Sequence, residues 1–276
     1  MTAAAVAEKR PKSFQDFVAL VEDLQGKSDT SLWFRGSGKG TYKLLPSLYR
    51  HRSRRSRAEL ESLERELMTR FRQRSIPFLA RPLADEWDML FFMQHYGIPT
   101  RLLDWTENPF IGLYFAVMSC PFSGKMAAGK AVLSFSSDAV VWILDPTAWN
   151  RHALRHQGFD RGILTPGDEA LQSYKPLTRF SDMNVQPVAI YGAYNSPRIV
   201  AQRGAFTIFG QNTLGMDRTF DEERFPTGCL VKVVFEPDAL ADIRKSILKH
   251  GITESVVFPD LEGLAKEINR DFEFEY

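Results

Sequence analysis

Residues 94–109, QHYGIPTRLLDWTENP, place four ionisable side chains (His95, Arg101, Asp104 and Glu107) inside otherwise apolar sequence. The preceding Trp87–Met93 and the following Phe110–Met118 are almost wholly apolar, which predicts a buried element on each side. Charged groups are costly to bury without a partner. The stretch therefore indicates either a buried salt bridge, such as Arg101 with Asp104, or polar groups at the edge of a ligand cleft.

The position of Arg101 and Asp104 within the stretch helps to choose between these readings. Thr100–Thr106 is predicted to be extended, because Gly97 and Pro99 end the preceding helix and Asn108-Pro109 begin the next one. Side chains three residues apart on a strand point to opposite faces. This spacing argues against a pair formed by these two residues alone and favours an Asp104 that faces the cleft.

Composition narrows the classes of protein to which the chain can belong. The 276 residues are 44% hydrophobic, and 35 Lys and Arg nearly balance 34 Asp and Glu, which argues against bulk attraction to nucleic acid or membrane. The two cysteines, Cys120 and Cys229, have no CxxC spacing, so neither a disulfide framework nor a zinc site is expected. No apolar run approaches the ~18 residues of a membrane span. We therefore expect no metal site, no membrane partner and a cytoplasmic location.

The pattern of apolar residues predicts one α+β domain over residues 13–276, preceded by a disordered N-terminus over residues 1–12. The pattern dissolves over 147–182, where long loops are expected. The predicted helices are 14–24, 58–74, 83–95, 109–118, 197–202, 237–250 and 261–268, and the predicted strands are 32–34, 100–106, 131–135, 139–144, 186–191, 205–209, 229–235 and 255–258.

Two further polar groups flank predicted strands. Arg35 and Gly36 follow the strand 32–34, where a glycine lets the backbone approach a ligand closely. Arg198, Gln202, Arg203 and Gln211 flank the strand that contains Phe206. Both groups have the arrangement of the 94–109 stretch, with polar side chains at the mouth of an apolar element.

A basic run, RHRSRRSR, precedes the helix 58–74. Such a run is typical of a solvated loop, but it also offers planar guanidinium groups to phosphates or to an acidic partner. We therefore predict a solvated loop and retain nucleic acid as a partner through its arginines, which are Arg50, Arg52, Arg54, Arg55 and Arg57.

Five motifs together resemble the FRG-domain family, whose name describes the triplet found here at 34–36. The motifs are WFRG at 33–36, YKLLPSLY at 42–49, FMQHYGIPTRLLDWTENPFIGLYFAV at 92–117, RIVAQRGAFTIFG at 198–210 and GITESVVFPDLEGLAKEI at 251–268. The resemblance runs from Phe14 to Phe272. More distantly, the order of the motifs is similar to that of ADP-ribosyltransferases, which implies a mixed β core with N-terminal and flanking helices and an NAD substrate.

The resemblance implies roles for individual residues. Arg35, with Gly36, would bind NAD phosphate or ribose, and residues 103–106, including Thr106, would support the nicotinamide ribose. Gln202 stands where a glutamate is usual, and a neutral amide supplies no charge to the oxocarbenium that develops at the ribose C1′. Asp104, Glu107 or His95 would supply that charge instead.

For several of these residues a structural role is an alternative. Arg35 suits a diphosphate or a strand-end salt bridge, and His95 suits acid–base chemistry or a helix cap. Arg101 is assigned to the cofactor site beside Arg35. Trp105 and Phe206 would stack on a planar ring or belong to the core. Thr106 and Gln202 have equally plain roles as helix-terminal residues.

The sequence thus predicts an NAD-handling protein that transfers ADP-ribose to a macromolecule or hydrolyses NAD, as a toxin or phage-defence effector. The catalytic candidates are His95, Asp104 and Gln202. The alternatives are a non-catalytic module that binds a nucleotide or nucleic acid, and a nuclease or phosphotransferase acting on RNA ends. The structural prediction is that Arg35, His95, Asp104 and Gln202 face one pocket.

Overall fold

The computed structural model describes residues 6–53, 55–79, 81–127, 130–193 and 196–274. Within these ranges the helices are α1 Phe14–Gln25, α2 Arg57–Ser75, α3 Glu86–His95, α4 Pro109–Met118, α5 Pro146–Ala153, α6 Pro197–Ala201, α7 Met216–Glu222, α8 Pro237–Lys249, α9 Glu254–Val257 and α10 Leu261–Asp271. The strands are β1 Ala7–Lys9, β2 Trp33–Ser37, β3 Leu102–Thr106, β4 Phe122–Ala127, β5 Lys130–Phe135, β6 Ala139–Leu144, β7 Val188–Ile190, β8 Gly204–Ile208 and β9 Leu230–Phe235. The α+β class is confirmed.

A mixed sheet forms the centre of the described structure, with strand order β1-β9-β6-β2-β3-β8-β7. The β1–β9 pair is parallel and the other pairs of this sheet are antiparallel. β4 and β5 form a separate hairpin. β2 and β3, which carry Arg35 and Asp104, are neighbours at the middle of the sheet, so residues far apart in sequence meet there.

Both faces of the sheet are covered, which explains the uninterrupted apolar sequence of β6. In β6 the side chains of Val140, Trp142 and Leu144 enter the core that contains α2, α3 and α5. Ala139, Val141 and Ile143 alternate with them and enter the opposite core, which contains α1, α4 and α8. The period of two along a strand divides one apolar run between two layers of helices.

The predicted strand 255–258 is wrong, because Glu254–Val257 form α9 and Phe258 is the residue that ends this helix. Short apolar runs do not distinguish a strand from a helical turn by periodicity alone. Glu254 and Val257 lie three apart on the buried face of α9, and Glu254 accepts hydrogen bonds from Arg270 of α10 at 3.0 and 3.1 Å. This buried ion pair with a later helix favours the helical turn.

Two other regions are more ordered than the sequence predicts. Residues 7–9, assigned to a disordered segment, form β1 because the free edge of β9 offers backbone partners, and Glu8 pairs with Lys232 at 3.3 Å. The segment 147–182 contains most of α5, which begins at the N-cap Asp145 and Pro146, and several short 3-10 turns. Among the described residues, no helix is both long and apolar enough to cross a membrane.

Candidate functional site

A cleft of about 270 Å³ opens where β2, β3 and β8 meet the C-terminal end of α3 and the short helix α6. It brings together three segments that are distant in sequence. Its lining residues are Phe34, Arg35, Gly36, Gln94, His95, Asp104, Trp105, Thr106, Phe115, Ser119, Arg198, Ile199, Gln202, Gly204 and Phe206. The predicted convergence of Arg35, His95, Asp104 and Gln202 on one pocket is therefore observed.

Arg35 and Asp104 are in contact across the β2–β3 pair. Arg35 Nη1 donates to the Asp104 carbonyl at 2.6 Å and lies 3.8 Å from its carboxylate Oδ2. Burial lowers the pKa of Arg35, the Asp104 carboxylate opposes that shift, and the neighbouring charge of Arg50 adds to it. The guanidinium remains protonated, as arginine does throughout proteins. The Asp104 side chain is 57% exposed, so the carboxylate is available to a molecule in the cleft.

Gln94 holds the Asp104 carboxylate from the other side. Its Nε2 donates to Asp104 Oδ2 at 2.8 Å, while its Oε1 accepts from Thr100 Oγ1 at 2.5 Å. Thr100 Oγ1 in turn accepts from the Leu102 N–H at 3.0 Å. This series of hydrogen bonds fixes which end of the Gln94 amide points at Asp104. One carboxylate oxygen is thus anchored by an amide and a guanidinium, and Oδ1 has no hydrogen-bond partner within the described residues.

His95 lies at the last residue of α3, beside the N-terminus of α6. Its Nδ1 is 3.3 Å from Ser196 Oγ. Burial lowers the pKa of His95, and the positive charge of Arg198 lowers it further, whereas Asp104 raises it. The imidazole is consequently neutral at neutral pH and is able to accept a proton.

Arg198 is a second guanidinium in the cleft. It lies over the ring of Phe258, 4.7 Å from the centroid, which limits its motion while leaving its donors available. No carboxylate of the described residues lies within ion-pairing distance of its guanidinium group. The cleft thus holds two arginines, one on a strand and one on a helix.

Gln202 is the C-cap residue of α6, and its side-chain amide forms a hydrogen bond within the protein. Its Nε2 donates to the Val257 carbonyl at 3.1 Å, and the backbone carbonyl of Gln202 accepts from Thr106 Oγ1 at 2.5 Å. Thr106 Oγ1 also accepts from the Asn108 N–H at 3.0 Å, next to the start of α4. Both residues line the cleft, but their polar atoms also join α6, α9 and β3.

Gly36 is a cleft residue whose lack of a side chain is required by packing. A Cβ at this position would lie 2.1 Å from the Gly112 carbonyl oxygen and 2.3 Å from the Ala116 nitrogen, both backbone atoms of α4. The helix therefore lies directly against β2. This contact sets the depth of the cleft beside Arg35.

Arg101, assigned to the cofactor site, lies in the core instead, so that assignment is wrong. The side chain is 0% exposed, and Nε donates to Glu64 Oε1 at 2.8 Å. Nη1 donates to the Phe209 carbonyl at 2.6 Å and Nη2 to the Tyr174 carbonyl at 3.0 Å. Burial disfavours the charge, but the charge of Glu64, its hydrogen bond and the neighbouring Tyr49 and Tyr174 together outweigh it, so the pKa of Arg101 is raised. The alternation predicted from the strand was correct, and the partner is Glu64 rather than Asp104.

The two aromatic candidates, Trp105 and Phe206, are core residues that form part of the cleft wall. Trp105 is buried and its indole N–H donates to Thr207 Oγ1 at 3.1 Å, on the side of the sheet opposite to Asp104. Phe206 is buried and packs against Phe91, with ring centroids 5.3 Å apart. Glu107, the other carboxylate considered, accepts from the Tyr191 hydroxyl at 2.6 Å and is not among the lining residues.

The arginines of the basic run lie outside the cleft. Arg50, Arg52, Arg55 and Arg57 are exposed, while Arg54 lies outside the described residues. Arg57 donates to Gln211 Oε1 at 3.3 Å. Among the described residues, no group of three or more His, Cys, Asp or Glu is placed to hold a metal ion.

Gln94 and Arg198 line the cleft but are not among the predicted site residues. Gln94 belongs to the 94–109 stretch, but its contact with Asp104 depends on how α3 meets β3. Arg198 stands in the second polar group, one helical turn before Gln202, and this spacing places both on one side of α6.

Comparison with known families agrees with the motif analysis. Residues 30–121 match the family model of the FRG domain. The FRG match covers about a third of the chain and contains β2, α3, β3 and α4, and hence Arg35, His95 and Asp104, whereas Arg198 and Gln202 lie beyond it. No curated protein and no solved structure matches the chain.

Proposed function

We propose that the cleft binds NAD and breaks the bond between the ribose C1′ and the nicotinamide nitrogen. ADP-ribose then passes to a macromolecule or to water, and in the cell the protein acts as a toxin or phage-defence effector. This proposal includes a distant relationship of the fold to ADP-ribosyltransferases, which rests on the order of the motifs. The observation that carries it is the convergence of Arg35, His95, Asp104 and Gln202 on one cleft.

The two arginines support recognition of a diphosphate. Arg35 is held by the Asp104 carbonyl and Arg198 by the ring of Phe258, so both guanidinium groups are positioned before a ligand arrives. Planar guanidinium groups bind phosphate oxygens through pairs of hydrogen bonds. The cleft volume of about 270 Å³ is close to the lower end of small-molecule sites, roughly 300–1,000 Å³. We therefore expect the nicotinamide ribose inside and the adenosine at the mouth.

The Asp104 carboxylate is suited to the charge that develops during cleavage. When the C1′–N bond breaks, its electron pair stays on the nicotinamide nitrogen and positive charge appears on C1′ and the ring oxygen. A carboxylate fixed by Gln94 stabilises that charge without reorganising. The incoming water or acceptor then forms a bond to C1′ and loses a proton, which the neutral imidazole of His95 in the same cleft accepts.

A non-catalytic nucleotide-binding module is the second candidate, and two contacts favour it. Arg35 partly neutralises Asp104 at 3.8 Å, and the Gln202 amide is bound to the backbone of Val257. Both groups would then bind the nucleotide or stabilise the fold without taking part in a reaction. In that case NAD or another nucleotide binds and is recovered intact.

Nicotinamide release separates the two candidates. Purified protein is incubated with NAD, and nicotinamide is quantified by chromatography. Asp104→Asn removes the charge while keeping the shape and should lower the rate by roughly 10²–10³-fold. Asp160→Asn, at an exposed carboxylate that does not line the cleft, should leave the rate unchanged. Binding of NAD without release of nicotinamide by the wild-type protein would favour the second candidate, and no binding of NAD would remove the first.

A further inference from the structure

The basic run continues from the rim of the cleft. Ser47 and Leu48 are joined to Thr100: the Leu48 N–H donates to the Thr100 carbonyl at 3.2 Å, and the Thr100 N–H donates to Ser47 Oγ at 3.3 Å. Thr100 is hydrogen-bonded to Gln94, which lines the cleft and holds Asp104. The segment that begins at Arg50 therefore leaves the protein at the Gln94 end of the cleft.

The segment is anchored at both ends. Before it, the buried Tyr49 hydroxyl donates to the Gly210 carbonyl at 2.7 Å. After it, Ser56 and Glu59 form a capping box at the start of α2, and Arg57 donates to Gln211. The described arginines between these anchors therefore belong to a short connection.

Three of the described arginines in the segment present positive charge to solvent. The guanidinium groups of Arg50, Arg52 and Arg55 are exposed and form no ion pair with a carboxylate of the described residues. The charge of Arg50 also acts on Arg35 inside the cleft. Because the whole chain has a formal charge of only +1, this surface is a local concentration of charge.

We propose that Arg50, Arg52, Arg55 and Arg57 form a binding surface for a single-stranded nucleic acid whose end points to the cleft. Arginine side chains fit phosphates as paired donors. The run RHRSRRSR contains no apolar residue, which argues against insertion into a lipid surface and against the aromatic anchors of protein interfaces. Eight residues span at most roughly 29 Å, enough to follow several phosphates of one strand.

This surface gives the proposed enzyme a class of macromolecular acceptor. That role rests on the proposed function, because a strand end at the Gln94 rim lies next to the position assigned to the ribose C1′. Binding of the strand itself does not require NAD. A negative result for strand binding can therefore be distinguished from a negative result for NAD cleavage.

Fluorescence anisotropy with 5′-labelled 12-nucleotide RNA and DNA tests the binding. Four phosphate contacts to a single strand predict a log–log salt slope of about −3, or roughly a fiftyfold loss of affinity between 50 and 200 mM KCl. Arg50→Gln, Arg52→Gln and Arg55→Gln together should weaken binding at least tenfold and flatten the slope to about −0.7. The matched control replaces Lys9, Lys245 and Lys249 by Gln, on β1 and α8, and should bind as the wild type does.

Three results would overturn the proposal. They are equal loss of affinity in the two triple variants, tighter binding to duplex than to single strands, and binding to vesicles containing phosphatidylserine in preference to either nucleic acid. A photoreactive base at the end of the strand tests the orientation. Cross-links to the peptide that contains Gln94 are expected, and cross-links confined to other surfaces would contradict the placement. Because these assays contain no NAD, an inactive enzyme that still binds RNA would refute only the proposed chemistry.

Discussion

Replacing Arg101 by methionine should destabilise the protein strongly without altering the cleft. The substitution leaves the Glu64 carboxylate, which is 3% exposed, without its ion-pair partner, and it leaves the carbonyls of Phe209 and Tyr174 without their donor. Breaking a buried ion pair by removing one partner costs about 3–5 kcal/mol. That loss is a large part of the ~5–15 kcal/mol by which a typical domain is stable.

Urea unfolding followed by tryptophan fluorescence measures this effect. We expect Arg101→Met to move the midpoint to lower urea with little change in the slope. The double variant Arg101→Met with Glu64→Leu should recover much of the loss, because no uncompensated charge then remains. At a temperature at which Arg101→Met is folded, its affinity for NAD should equal that of the wild type.

Two outcomes would contradict a structural role for Arg101. One is a change of less than about 1 kcal/mol in the free energy of unfolding for Arg101→Met, which is the range of exposed ion pairs. The other is loss of NAD binding by a variant that is as stable as the wild type. The second outcome would return Arg101 to the cofactor site.

Two further predictions concern the walls of the cleft. Gly36→Ala should destabilise the protein by at least about 1–3 kcal/mol in the same unfolding assay, because its Cβ meets the backbone of α4 at 2.1 Å, whereas Gly40→Ala, whose Cβ has its nearest neighbour at 3.5 Å, should have little effect. The pKa of His95 is lowered in the folded state, so between that value and about 6.5 the unfolded chain binds more protons and stability falls as the pH falls. His95→Gln should therefore reduce the loss of stability between pH 7 and pH 5, and an identical pH dependence in both proteins would contradict the shift.

The elements of the fold were accessible from sequence where local signals agree. Ser13, Asn108 and Asp260 each cap a helix through a side-chain hydrogen bond to the first turn. β6 is apolar throughout because each face packs in a separate core. Residues 255–258 were misread because Arg270, sixteen residues after Glu254, decides their conformation.

The site was predictable in outline and not in its contacts. Period-two alternation in β3 correctly separated Arg101 from Asp104, but the buried partner Glu64 lies 37 residues away on α2. Similarly, the spacing of motifs gave no sign that the Gln202 amide binds the Val257 carbonyl. Local pattern identifies a polar residue beside an apolar strand, and only the tertiary packing decides which partner it meets.

A crystal structure of the Asp104→Asn variant soaked with NAD would show whether NAD binds in the cleft. We expect the diphosphate within about 3 Å of the Arg35 and Arg198 guanidinium groups, at hydrogen-bonding distance. We also expect the ribose C1′ beside residue 104, with the nicotinamide between the walls of the cleft. NAD bound at another surface, or a cleft that stays empty at saturating NAD, would contradict the proposed function.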